Sequence, residues 1–184
     1  SFGWTEVCGI HDRTDYDLIQ HSKFSKQNLT AKDTKNKDIT PHVLEIAFGI
    51  DRPVFALLDL FYSKMEKDKG KTMFKLPYHL APVDVALFPL MKKDGMPEKA
   101  LEIKKELEND FVVEYDKSGS IGKRYLRAAE SGTAYCVTVD HDSLKEYTVT
   151  LRDRDSEEQK RIKISELNNT IRSLISGKIS FDKL

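Results

Sequence analysis

Apolar positions change period in an orderly way along the second half of the chain. Val83, Val85 and Leu87 fall on every second position, which is the spacing of one strand face. Pro97 then opens a stretch in which Ala100, Ile103 and Leu107 recur at helical spacing. Phe111 to Tyr115 reads as a strand, and Ser118-Gly119-Ser120 leads into a helix over Ser120–Glu130. Tyr135–Val139, Tyr147–Leu151 and Arg161–Ile164 read as strands. Ser165–Ile175 reads as a last helix, with Ser165 and Glu166 suited to its start and Gly177 to its stop. Strands interleaved with helices predict a three-layer α/β/α sandwich of about 100 residues. The closing hairpin makes its sheet mixed.

The first third has a different grain. Phe2–Ile10 is rich in aromatic and β-branched residues and predicts a strand. His11–Ser22 carries a short helical pattern in Tyr16, Leu18 and Ile19. Ser25–Thr40 has no apolar period, and its lysines and aspartates (Lys32, Asp33, Lys35, Lys37, Asp38) predict a solvated loop or a shortened insertion. Val43–Ala47 reads as a strand and Arg52–Met65 as an apolar helix. A charged stretch from Lys64 to Lys75 ends at Pro77 and reads as a linker. The pattern thus predicts one region over residues 1–63, a linker over 64–78 and a domain over 79–184.

Thirty basic residues balance thirty acidic ones, so any surface for nucleic acid must come from local clustering. No apolar run approaches the ~20 residues of a membrane helix, and the start lacks the basic-then-apolar pattern of a signal peptide. Without an initiator Met, Ser1 is expected to be a boundary within a longer protein. Cys8 and Cys136 both sit in apolar, strand-like runs and are expected to be buried free thiols of a reducing compartment. Neither they nor His11, His21, His42, His79 and His141 show metal-site spacing.

Two clusters of cations could carry chemistry. Lys117, Lys123, Arg124 and Arg127 surround the Gly/Ser-rich helix start, where free backbone N–H groups and positive charge suit a phosphate. The alternative is a capped helix with a solvated basic face. Arg152 and Arg154 alternate with Asp153 and Asp155, which on a strand would put arginines on one face and aspartates on the other. Such an array can read splayed bases or form a cross-strand ion-pair ladder.

Longer motifs point to a family. Phe2-Gly3-Trp4-Thr5-Glu6-Val7-x-Gly9-Ile10-x-Asp12-Arg13-x-x-Tyr16-Asp17-Leu18 and Val43-Leu44-Glu45-x-x-Phe48-Gly49-Ile50-Asp51-Arg52 resemble the distal half of the active site of class II glycyl-tRNA synthetases of the eukaryotic/archaeal type, the latter matching the third class II signature motif. Ala81-Pro82, Leu87-x-Pro89-Leu90, Ser118-Gly119-Ser120-Ile121-Gly122-Lys123-Arg124-Tyr125, Val137-Thr138-Val139-Asp140-x-Asp142 and Thr150-Leu151-Arg152-Asp153-Arg154-Asp155 resemble the family's anticodon-binding domain. The resemblance covers nearly everything except Ser25–Thr40. It implies the end of an antiparallel class II catalytic sheet over residues 1–63, followed by the anticodon-binding domain.

The resemblance also implies roles. Glu6 and Glu45, both expected on strands, would hold the glycine ammonium, with Ala47 lining the same site. Arg52 would be catalytic and would contact ATP together with Glu45. Lys123, Arg124, Arg127, Arg152 and Arg154 would contact tRNA. Asp12 and Arg13 are read as packing and local ion pairing. The implied partners are tRNA-Gly, glycine and ATP, with Mg2+ in the complete enzyme and neither DNA nor membrane. The implied parent is a homodimer, joined through residues outside this chain, in the cytoplasm or also in mitochondria. Where the family has Pro-Ser after the glutamate matching Glu45, this chain has Ile46-Ala47. The lost hydroxyl removes a hydrogen bond worth about 0.5–1.5 kcal/mol. No stretch resembles the first two class II motifs, one of which carries the arginine that grips the α-phosphate, so this chain alone is expected not to form an adenylate. A synthetase-like accessory protein that binds RNA without catalysis is the alternative reading.

Overall fold

The structure, a computed structural model, describes residues 3–64 and 71–184. The chain divides into two compact units, Ser1–Asp59 and Leu60–Leu184. The strand expected over Phe2–Ile10 begins only at Cys8, and the helix expected over Arg52–Met65 ends at Phe61, with Tyr62–Lys64 in strand; Phe2, Met65 and part of the linker over 64–78 lie outside the described residues.

The first unit is built on one ribbon. Strand β1 (Cys8–Asp12) pairs antiparallel with β4 (Leu44–Phe48), Ile10 opposite Ile46 and His11 opposite Glu45. Helix α1 (Tyr16–Ser25) and a short hairpin, β2 (Ala31–Lys32) with β3 (Asp38–Ile39), fill the connection, so the expected loop holds a little regular structure. Helix α2 (Asp51–Phe61) follows β4. Period-two geometry puts Ile10, Leu44, Ile46 and Phe48 on one face of the ribbon. That face is bare: these four side chains are 80%, 78%, 77% and 67% exposed. Gly9 is the one buried residue among those described in this unit. A side chain there would run into the imidazole of His11, which lies across it.

The second unit has a core of its own. Strand β5 (Tyr62–Lys64) pairs with β6 (Thr72–Phe74), so part of the expected linker is a ribbon belonging to this unit. The main elements follow as β7 (Val85–Pro89), α3 (Met96–Leu107), β8 (Val113–Tyr115), α4 (Ile121–Ser131), β9 (Tyr135–Val139), α5 (His141–Glu146), β10 (Thr148–Asp153), β11 (Gln159–Lys163) and α6 (Ile164–Ile175). The five strands order as β11-β10-β9-β7-β8. β7 runs parallel to β8 and β9, and the β9–β10–β11 pairs are antiparallel. This is the mixed sheet and α/β/α layering that the periodicity predicts. Helix α5 was not foreseen. It is a single short element held by a capping box, in which Asp140 accepts from Ser143 N at 3.0 Å and Ser143 Oγ accepts from Asp140 N at 3.0 Å.

The two faces of this sheet are covered unequally. Val85, Leu87, Val137, Val139, Val149 and Leu151 pack on one side against α3 and α6 through Ile103, Leu107, Leu167 and Ile171. On the other side, Ala86, Phe88 and Cys136 meet only Ala128, Ile121 and Tyr125 of α4. Every residue of β7 and β9 is accordingly buried, while β10 alternates between buried and half-buried positions. Thr150 and Arg152 face the uncovered side, where register aligns them with Thr138 and Cys136 of β9 and with Arg161 and Gln159 of β11.

Gly132 ends α4 at φ +79, and a Cβ there would meet Phe74 Cβ at 3.2 Å and Leu76 Cδ1 at 3.1 Å. Gly132→Ala should therefore lower the stability of this unit by about 1–3 kcal/mol, combining left-handed strain with crowding. Gly122→Ala, in α4 with open space around it, should raise it by about 0.5–1 kcal/mol. Urea unfolding followed by circular dichroism checks both; equal effects would mean that neither the backbone angle nor the contact matters.

Candidate functional site

In the first unit the structure sets the singled-out residues in two groups, Arg52 with Glu6 and Arg13 with Glu45. Arg52, in the first turn of α2, donates from Nη1 to the carbonyl oxygen of Glu6 at 2.6 Å. Glu6 precedes β1 rather than lying on it, because pairing with β4 begins only at Cys8. The expectation of a strand mounting for Glu6 is thus corrected. Glu45 and Ala47 share the ribbon face opposite the bare apolar one, with His11 and Gly9 as their cross-strand partners. Arg13 lies 3.4 Å from the Glu45 carboxylate and also binds Asp17, donating from Nη2 to Oδ1 at 3.0 Å. The hydrogen bond from Arg13 holds the Asp17 carboxyl below its ordinary range. Arg13 is therefore an ion-pairing residue; its pair with Glu45 stands at the Asp12–Leu44 end of the ribbon, and the Arg52–Glu6 contact stands at the Cys8–Phe48 end. Among the described residues, no group of three or more His, Cys, Asp or Glu is placed to hold a metal ion.

In the second unit the cations separate into two kinds. Arg124 is 3% exposed. Its Nη1 donates to Pro89 O at 2.6 Å and its Nη2 to Gly119 O at 3.3 Å, fastening α4 to the end of β7. Arg154 is 5% exposed. It donates to Leu76 O at 2.5 Å and Gly132 O at 3.0 Å, pairs with Asp155 and lies over the Tyr78 ring. Neither faces solvent, which corrects the expectation that Arg124 and Arg154 contact RNA. The anticipated alternation fails for a plain reason: β10 ends at Asp153, and Arg154 is already in the turn. Asp153 is itself buried, accepting from Tyr78 Oη and from Ser156 N, each at 2.8 Å.

Lys117, Lys123 and Arg127 remain exposed at the start of α4. Arg127 donates from Nε to Asp116 Oδ2 at 3.1 Å and from Nη2 to Ser118 O at 2.8 Å, closing the loop before the helix. Burial alone would raise the Asp116 pKa, but hydrogen bonds from Arg127 and Ser118 outweigh it and hold the carboxyl at about 2.

Arg152 sits differently. Its guanidinium lies over the Tyr125 ring at 4.6 Å, and its Nη2 is 3.3 Å from the Glu157 carboxylate. Both line a cleft of about 300 Å3 with Gly122, Leu126 and Thr133. One strand over, Arg161 donates to both oxygens of Asp140, to Asp142 and to Thr150. Tyr125, whose hydroxyl lies 2.6 Å from Thr138 Oγ1, and Arg161 both escaped the sequence reading. Strand register would have found Arg161, opposite Thr150 and beside Arg152, but hairpin register is not legible from composition. Cys136 lies beneath, buried, its thiol pushed up to about 12 by desolvation. Cys8 is exposed, contrary to the expectation of two buried thiols.

Removing the Arg154 guanidinium strands two buried carbonyls and a carboxylate. Arg154→Ala should cost about 3 kcal/mol or more, whereas Arg152→Ala, at a half-exposed pair, should cost about 1 kcal/mol or less. Urea midpoints decide between a fastener and a surface contact. Asp116, whose pKa is depressed in the fold, adds stability that is full above its ordinary value near 3.8 and fades as pH falls towards 2. Asp116→Asn should flatten that acid limb of the stability profile; an unchanged limb would show the pair to be inert.

The sequence is matched by known proteins. Residues 84–174 match the anticodon binding domain family. The chain is 46% identical over 175 residues to a glycine–tRNA ligase of Clostridium beijerinckii, covering 94% of this chain and 37% of that protein. It is 42% identical over 183 residues to one of Treponema denticola, covering 95% and 41%. It is 45% identical over 166 residues to one of Chlorobaculum tepidum, covering 89% and 35%. The chain thus spans about two fifths of the length of the curated relatives it matches. These relatives are bacterial, and the eukaryotic/archaeal type inferred from the motifs finds no support among them. Among solved structures, the RNA binding domain of threonyl-tRNA synthetase from Cryptosporidium parvum aligns with a TM-score of 0.49 at 24% identity, over 54% of this chain and 25% of that one. Residues 84–174 thus match the anticodon binding domain family, within a chain similar to part of the glycine–tRNA ligases.

Proposed function

We propose that this chain is part of a glycine–tRNA ligase that activates glycine with ATP and attaches it to tRNA-Gly. The second unit receives the anticodon end of the tRNA, and the first supplies a portion of the glycine and ATP site. The observation that carries the reading is the half-covered sheet: Arg152 stacked on Tyr125 and Arg161 beside Thr150, on a face that α4 leaves free. A guanidinium held flat on a ring presents its donors in a fixed direction, which suits a base edge. Lys123, exposed at the helix start, is a flexible point charge and suits phosphate regardless of sequence. Arg127 adds charge there while closing its loop.

In the first unit, Glu45 offers a carboxylate to the glycine ammonium, Ala47 lies on the same ribbon face, and Glu6 sits beside Arg52, the residue assigned to ATP. The bare apolar face of Ile10, Leu44, Ile46 and Phe48 supports the view that further strands of a catalytic sheet complete this unit. The parent enzyme is read as a cytoplasmic homodimer using Mg2+ with ATP, joined through residues outside this chain.

Alone, the chain should give no glycine-dependent ATP–pyrophosphate exchange, because the arginine expected to grip the α-phosphate is outside it. Robust exchange by chain purified free of host synthetase would contradict the reading. Titrating tRNA-Gly and an anticodon-swapped transcript at two salt concentrations tests the RNA face. Lys123→Ala should weaken both alike and reduce the salt dependence by about one phosphate contact. Arg152→Ala should narrow the gap between them by about 1–3 kcal/mol. A wild-type chain that cannot tell the two transcripts apart would remove the reader role from Arg152.

A further inference from the structure

Glu157 occupies an unusual position in the β10–β11 hairpin. Its φ is +61, a left-handed angle that glycine adopts freely and a residue with a Cβ does not. The turn does not need its carboxylate. Asp153 N donates to Glu158 O at 3.1 Å, and the Asp153 carboxylate accepts from Ser156 N and Ser156 Oγ, each at 2.8 Å. What the carboxylate does meet is Arg152, 3.3 Å from its Nη2, at a cleft that both residues line. The two side chains are 21% and 30% exposed, so the pair is only partly screened by solvent. With one face on Tyr125 and one end on Glu157, Arg152 already makes the two kinds of contact that a nucleotide would offer it: a ring to stack on and an anionic acceptor.

We propose that Glu157 is a resident competitor for Arg152, an internal acceptor that RNA must displace before it can bind that guanidinium. The proposal rests on the reading of Arg152 as an RNA contact. The carboxylate keeps the guanidinium aimed into the cleft in the empty state. It also lowers affinity in the bound state, since the ion pair is broken and a negative charge is left beside RNA. Strained backbone at a residue whose side chain the turn does not require fits a role in binding rather than in folding.

The test is a mutant cycle on the full chain with tRNA-Gly transcript at fixed salt. Glu157→Gln and Glu157→Gly should each bind about fivefold more tightly, the upper end for a partly exposed ion pair, with slower RNA dissociation. The glycine variant relieves the backbone and so should also remain folded. In an Arg152→Ala background the same changes should alter affinity less than about twofold, because nothing is left to compete for. Glu158→Gln, an exposed neighbour, controls for loss of negative charge in general. Weaker binding by Glu157→Gly with unchanged binding by Glu157→Gln would overturn the proposal, leaving Glu157 as a support for Arg152. An equal gain from Glu158→Gln, or one that persists without Arg152, would overturn it as well. Should Arg152→Ala itself bind like wild type, the reading of Arg152 as an RNA contact fails first, a distinct result that removes the proposal's premise.

Discussion

A helix is about 10 Å across, whereas five strands at their usual spacing span about 20 Å. Among the described residues, the second unit sets three helices on one face of its sheet and only α4 on the other, so no helix covers the β10–β11 half of that second face. The sequence answers this with side chains that tolerate water: Thr148, Thr150 and Arg152 on β10, Gln159, Arg161 and Lys163 on β11, while the covered strands β7 and β9 are buried throughout. The proposed RNA surface is thus a consequence of layer arithmetic. A second helix on that side would have required apolar residues where the arginines now stand.

Holding a lone helix against one half of a sheet needs more than its apolar stripe, and two buried arginines supply it. Arg124 ties the front of α4 to the end of β7, and Arg154 ties the residue after α4, Gly132, to Leu76 and to the turn beyond β10. Each guanidinium replaces water with backbone carbonyls, and charge-assisted hydrogen bonds of this kind are worth more than neutral ones. Fixing α4 in this way fixes Tyr125, and Tyr125 is the surface on which Arg152 rests. Stability and the proposed binding face are therefore linked through the same helix.

These same residues mark where sequence reading stops. β9 was legible to the residue, since Tyr135–Val139 is an apolar run between turn signals. The layering was legible from alternating periods. Arg124 and Arg154 were not, because arginine is rarely buried and its partners are backbone carbonyls, which carry no side-chain signature. Leu76 lies 78 positions from Arg154, a separation that no local pattern reports. Helix α5 was too short to show a period, and its capping box is the only local sign. In the first unit the ribbon could be read, but that Cys8, Ile46 and Phe48 would be exposed could not. An apolar strand predicts burial, and here the covering layer is not among the described residues. Glu45 pairs with Arg13 and Arg52 bonds the Glu6 carbonyl, contacts that the motifs do not spell out.

The central claim is that the uncovered half of the second unit's sheet is where RNA binds. Titrating the isotopically labelled chain with an anticodon stem-loop of tRNA-Gly, and following backbone amide shifts by NMR, tests it most directly. The account places the largest changes on Thr150, Arg152, Gln159 and Arg161, with smaller, salt-sensitive ones near Lys123, and little change along α3 and α6. Changes concentrated on α3 and α6, with the β9–β10–β11 face silent, would contradict it.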